Sequence, residues 1–98
     1  MSEIIKNHVP LDELLAGLAE ECSELSQAAL KLRRVFTQVN PTPKAEDEAI
    51  DDLYEEIADV ELYLSMITIN RKYIKETMQR KLQRWESRIN EQSNADSK

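Results

Sequence analysis

The chain has 98 residues, with 41% hydrophobic and 33% charged residues, one Gly and three Pro. That length allows one domain, and a lone chain this small buries only about 60% of its unfolded surface, so a partner subunit is expected. Scarce glycine and proline exclude a turn-rich β-protein, 5% aromatics exclude stacking platforms for nucleic acid, and no strand-like alternation is present.

The fold class read from composition is all-α, since Leu, Ala, Glu, Lys, Gln and Arg dominate. Net charge is −6, which disfavours nucleic acid and anionic membrane surfaces as partners. The charge is unevenly spread. Residues 1–69 hold fifteen acids and five bases, and residues 70–98 hold four acids and eight bases. Cys22 is the only cysteine, so neither an intrachain disulfide nor a thiolate zinc site can form. MSEIIKNHVP has neither the basic nor the apolar region of a secretory leader. No apolar run is long enough to span a bilayer. A cytoplasmic protein without membrane attachment is the expectation.

In chain order, a first helix is predicted from about Pro10. Asp12 and Glu13 sit where the helix dipole favours acids. Its apolar stripe is Leu11, Leu14, Leu15, Leu18, Cys22, Leu25, Ala29, Leu32 and Phe36. On that stripe Cys22 reads as a small buried hydrophobe. Gly17 interrupts the helix at about 1 kcal/mol relative to Ala. It is either a tolerated neutral residue or a point of close approach by another helix. Asn40-Pro41-Thr42-Pro43 reads as a stiff connector, with Thr42 capping the next helix and Pro43 in its first position.

A second helix is predicted over about Lys44 to Ile69, with Ile50, Leu53, Ile57, Val60, Leu64 and Ile67 as its stripe. Leu62 to Ile69 is apolar on more than one side, which implies a subunit interface. A third helix, about Lys72 to Gln92, carries Ile74, Met78, Leu82, Trp85 and Ile89 on one side and Lys81, Arg84 and Arg88 on the other. Because the junction at Asn70 has no Gly or Pro, fusion of the second and third helices into one kinked helix is expected. One domain over residues 1–92 and a polar, frayed tail at 93–98 complete the organisation.

Two acidic clusters carry the chemistry. Glu20-Glu21-Cys22-Ser23-Glu24 contains the pair Glu21/Glu24, and Glu55-Glu56-Ile57-Ala58-Asp59 contains the pair Glu56/Asp59. Residues three apart are neighbours on a helix. Glu21 falls about 60° and Glu56 about 70° from its helix's stripe, at the rim of the buried face. If the two helices pack antiparallel, four carboxylates converge and repel unless a cation intervenes. Oxygen donors alone suit Mg²⁺ or Mn²⁺ over zinc. A di-iron carboxylate site would want Glu-x-x-His pairs, and the one histidine, His8, lies outside both clusters. Against this stands the plain alternative, a pair of solvated acidic faces in a highly charged chain.

LLAGLAEECSELSQAALKLRR, a linker containing NPTP, and EEIADVELYL together resemble the MazG-like all-α nucleoside triphosphate pyrophosphohydrolases over about residues 9–90. The resemblance implies a helical bundle completed by oligomerisation, as a homodimer or homotetramer. It implies Mg²⁺-dependent hydrolysis of a nucleoside or deoxynucleoside triphosphate to the monophosphate and pyrophosphate, with Mn²⁺ as the other candidate ion. Carried onto this chain, Glu21, Glu24, Glu56 and Asp59 would be metal ligands and Glu20 would orient or deprotonate the attacking water. Tyr63, Lys81 and Arg84 would contact substrate. The chain departs from that pattern in lacking a Gly-containing turn before its last helix and an Asn just after Lys81. Two other readings stand beside this one: an acidic helical module that binds another protein without catalysis, and an enzyme resembling phosphoribosyl-ATP pyrophosphohydrolases.

Overall fold

The computed structural model describes residues 2–37 and 46–96. Among the described residues there are four helices and no strand: α1 (Glu3–His8), α2 (Leu11–Thr37), α3 (Glu46–Met66) and α4 (Arg71–Asp96). The expected Pro41/Pro43 connector and the Thr42 cap lie outside the described residues. No helix is long and apolar enough to cross a membrane among the described residues.

Local chemistry explains the breaks. Ser2 caps α1, its Oγ accepting from Ile5 N–H at 3.2 Å. Pro10 ends the first piece and starts the second: its carbonyl accepts from both Glu13 and Leu14 N–H at 3.1 Å. Glu46, Asp47 and Glu48 crowd the first turn of α3, where the helix dipole stabilises them.

The expected fusion of the last two long helices does not occur. α3 stops at Met66, and residues 67–70 leave helical geometry. Asn70 supplies the reason. Its Oδ1 accepts from Tyr73 N–H at 3.0 Å and its carbonyl accepts from Ile74 N–H at 3.1 Å, so it is the start signal of a new helix. An Asn cap breaks the pattern as surely as Gly or Pro. α4 then continues through Asp96.

The residues fall into two compact units, divided between Thr68 and Ile69. In the first, α2 packs along α3. The pairing is antiparallel, because each step toward the C-terminus of α2 meets a step back along α3. Leu14 shares a cavity with Leu62 and Met66, Gly17 meets Tyr63, Glu24 neighbours Glu56, and Ala28 shares a cleft with Ala49 and Asp52. The tightest points are few. Leu14 is 6% exposed, Ala28 7% and Ala49 3%, and Gly17 is also buried.

The apolar stripes are not buried as units. Leu18, Leu25, Leu32, Ile50, Leu53, Ile57, Val60 and Leu64 are half-buried, whereas Leu11, Leu15 and Phe36 are exposed. Cys22 is exposed too, contrary to its reading as a buried hydrophobe. The cause is rotational. On α2 the side turned to α3 runs through Leu14, Gly17, Glu21 and Ala28, and Cys22 lies about 100° further round the helix.

The second unit contains α4. None of its residues is buried, and Met78, Leu82, Trp85 and Ile89 are more than half exposed, Trp85 at 64%. A 26-residue helix with an apolar stripe ordinarily owes its stability to something packed on that stripe.

Candidate metal centre

The rotation of α2 and α3 that exposes Cys22 brings acids inward. Glu21 lies on the side of α2 that also carries Gly17 and Ala28. Glu56 lies on the side of α3 that carries Ala49 and Tyr63. Carboxylate oxygens of Glu21, Glu24 and Glu56 all lie within 4.8 Å of one another. Glu21 and Glu56 are half-buried, and Glu24 is exposed. The half-burial of both inner acids agrees with the rim positions that their stripe angles imply.

The electrostatic consequence is direct. Partial burial, followed by the charges of Glu24 and Asp59, pushes the Glu21 carboxyl up to about 7 from an ordinary 4.5. Hydrogen bonds to Glu56 and Glu24 push it in the same direction. The Glu56 carboxyl is raised as well, first by burial and then by the charges of Glu24 and Asp59. A hydrogen bond between the two carboxyls links their titrations, and both stand above the ordinary carboxylate value.

With both groups ionised, Glu21 Oε2 and Glu56 Oε2 are buried without any hydrogen-bond donor. A buried carboxylate oxygen without a donor is costly. Two such oxygens, from different helices and beside a third carboxylate, form a hard-oxygen donor set that matches a divalent cation such as Mg²⁺ or Mn²⁺. The chemistry of the residues therefore fits such an ion.

The other residues singled out in the sequence fall as follows. Asp59 acts on both Glu21 and Glu56 through its charge but is not one of the three within 4.8 Å. Glu20 is exposed and stands one turn before Glu24 on α2. Tyr63 rests against Gly17, so the close-approach reading of that glycine is the one realised. Lys81 and Arg84 are exposed on α4, where Arg84 lines a surface hollow with Arg80, Gln83, Ser87 and Arg88.

Two features beside the cluster escaped the sequence reading. A polar cleft of about 300 Å³ opens on one side, lined by Glu24, Gln27, Lys31, Asp52, Glu55 and Glu56 among others. An apolar cavity of about 400 Å³ opens toward the other end of the helix pair, lined by Leu14, Leu62, Tyr63 and Met66 with Ile5 and Val9 of the α1 region. The acid pattern did contain a signal for the first: Asp52 and Glu56 are four apart on one face of α3. The α2/α3 groove thus grades from apolar, through three carboxylates, to a polar cleft holding one lysine.

The chain matches no family model, no curated protein and no solved structure in comparison with known proteins.

Proposed function

We propose that this protein is a MazG-like nucleoside triphosphate pyrophosphohydrolase. It would use Mg²⁺, or Mn²⁺, to cleave an NTP or dNTP into the monophosphate and pyrophosphate, as a step in nucleotide-pool control. The observation that carries the reading is the meeting of Glu21 and Glu24 from α2 with Glu56 from α3, two of whose oxygens are buried without a donor. The order and spacing of the acid motifs in the sequence support it independently.

In this reading Glu21, Glu24, Glu56 and Asp59 hold the ion. When bound, the ion neutralises phosphate charge and lowers the pKa of a water it carries. A triphosphate brings about four negative charges, and the carboxylates alone would repel it. Glu20, exposed one turn from Glu24, orients or deprotonates the attacking water. Glu55 lines the polar cleft with Glu24 and Glu56 and has a related claim. Tyr63 contacts the nucleoside end, and phosphate contact by Lys81 and Arg84 of α4 is carried by the resemblance alone.

Self-association belongs to the same proposal. α4 has no buried residue, and Leu11, Leu15, Phe36 and Leu62 leave further apolar surface uncovered in one chain. A homodimer or homotetramer would cover these faces. The same uncovered stripe on α4 favours the rival reading, an acidic helical module that docks another protein without catalysis.

Pyrophosphate release from each common NTP and dNTP, and from phosphoribosyl-ATP, is the test, with Mg²⁺, with Mn²⁺ and with EDTA. The expected result is metal-dependent release from one or a few nucleotides, lost in Glu56→Gln. Release from phosphoribosyl-ATP alone would move the assignment to that enzyme class. Silence from folded protein across all substrates would end the enzymatic reading in favour of the module.

A further inference from the structure

Ile74, Met78, Leu82, Trp85 and Ile89 recur at steps of three and four over about 22 Å of α4, and all five are exposed. Bases border this row. At about 100° per residue, Lys81, Arg88 and Arg84 lie about 60°, 80° and 120° from its middle on one flank, and Lys75 lies about 60° from it on the other. Between Ile74 and Ile89, Glu86 is the one acid that close to the row.

A surface of opposite character lies on α3, on the side turned away from α2. Tyr54, Ala58 and Leu62 form a row there at steps of four, and Tyr54 and Leu62 are 65% and 56% exposed. Ala58 stands about 160° round the helix from Glu56 and about 180° from Ala49, the residues that meet α2. Asp47 and Asp51 fall in line with the row, and Glu55 and Glu61 fall about 60° to either side of it, all four exposed. In all, α3 carries nine acids and no base, and α4 carries seven bases and four acids.

One chain thus holds both halves of a complementary pair and leaves both uncovered. We propose that α4 of one copy lies along the outer side of α3 of a second copy, its apolar row on Tyr54, Ala58 and Leu62 and its bases against the acids of α3. The inference rests on the self-association proposed above and names the two surfaces that meet. The exchange is reciprocal. Each copy gives one α4 and receives one, so the two contacts close a two-fold dimer and double the area that either buries. Laying α4 on a second α4 would instead oppose two helices of like net charge. Single exposed ion pairs contribute little, so the apolar rows supply the affinity and the charges select the partner surface.

The test reads assembly in the absence of nucleotide, by sedimentation velocity over a dilution series. A chain that pairs this way and hydrolyses nothing keeps the pairing and loses only the enzymatic reading. The native chain is expected to self-associate, with affinity falling about tenfold or more as salt rises from about 50 mM to about 500 mM. Reversing the α4 flank, Lys81→Glu with Arg84→Glu and Arg88→Glu, should weaken association about a hundredfold or more. Asp51→Lys with Glu61→Lys should do the same. Both of those residues are exposed and lie away from α2, so the helix pair should keep its fold, as circular dichroism would report. A chain carrying both sets should regain affinity to within about tenfold of native, because each reversed α4 then meets a reversed α3. A native chain that stays monomeric at every concentration would overturn the proposal. So would unchanged self-association in folded Asp51→Lys/Glu61→Lys, which would leave α4 to a second α4, or no recovery when the two sets are combined.

Discussion

A carboxyl that holds its proton up to about pH 7 makes cation binding depend on pH in a window where most carboxylate sites are already saturated with charge. A cation must displace that proton from Glu21. For one competing proton with a pKa of about 7, apparent affinity changes little above pH 8, falls about tenfold from pH 8 to pH 6, and falls about a further tenfold by pH 5. The stability of the metal-free fold moves the other way. Between about 4.5 and about 7 the folded chain holds a proton on Glu21 that the unfolded chain has released, so stability is lost as pH rises through that range. Glu56, raised in the same direction, adds to the trend. Mn²⁺ titrations at pH 5, 6, 7 and 8, with denaturant unfolding in EDTA at the same values, measure both slopes. They should have opposite signs. Mn²⁺ affinity that stays flat from pH 6 to pH 8, in a protein that binds the ion, would refute the electrostatic reading of the cluster.

Glu21→Gln should raise the melting temperature in EDTA at pH 8, because it removes an ionised group with an undonated oxygen, and should abolish the stabilisation given by Mn²⁺; calorimetry with and without the ion reads both. Glu56→Gln or Asp59→Asn should lower turnover by about two to three orders of magnitude with the helix content unchanged, measured by pyrophosphate release and circular dichroism. Asn70→Ala removes the acceptor for Tyr73 N–H and should destabilise the start of α4 by about 1 kcal/mol, seen as faster amide exchange at residues 72–74. Trp85→Ala should shift a dimer or tetramer toward monomer in light scattering, and dilution of the native chain should move its tryptophan emission to the red.

Much of the helical layout is legible in the sequence, because steps of three and four among Leu, Ile and Val report helices directly. Pro10 marked the start of α2 correctly for a physical reason: its carbonyl opens the ladder while its missing N–H costs nothing there. Asn70 was missed because a capping side chain acts through one hydrogen bond, not through periodicity. The short helix α1 was missed as well, since six residues carry too little pattern to stand out. The candidate site was partly legible. Spacing alone pairs Glu21 with Glu24 and Glu56 with Asp59. It does not tell which flank of a wide stripe meets the partner helix. That choice, made by Gly17, Ala28 and Ala49, keeps Glu21 and Glu56 half-buried beside the partner helix and leaves Cys22 outside.

The antiparallel pairing of α2 with α3 also governs where the chain can change in length. Gly17 on Tyr63, Glu24 beside Glu56, and Ala28 across from Ala49 and Asp52 are rungs held in register by two rigid rods. One residue inserted in α2 between Gly17 and Glu24 turns every later rung by about 100° and scatters the carboxylates. The same insertion after Thr37 leaves each rung opposite its partner. Length variation in relatives and in designed variants should therefore collect beyond the ends of these two helices, and the 17–28 and 49–63 spans should keep a fixed count even where their residues differ.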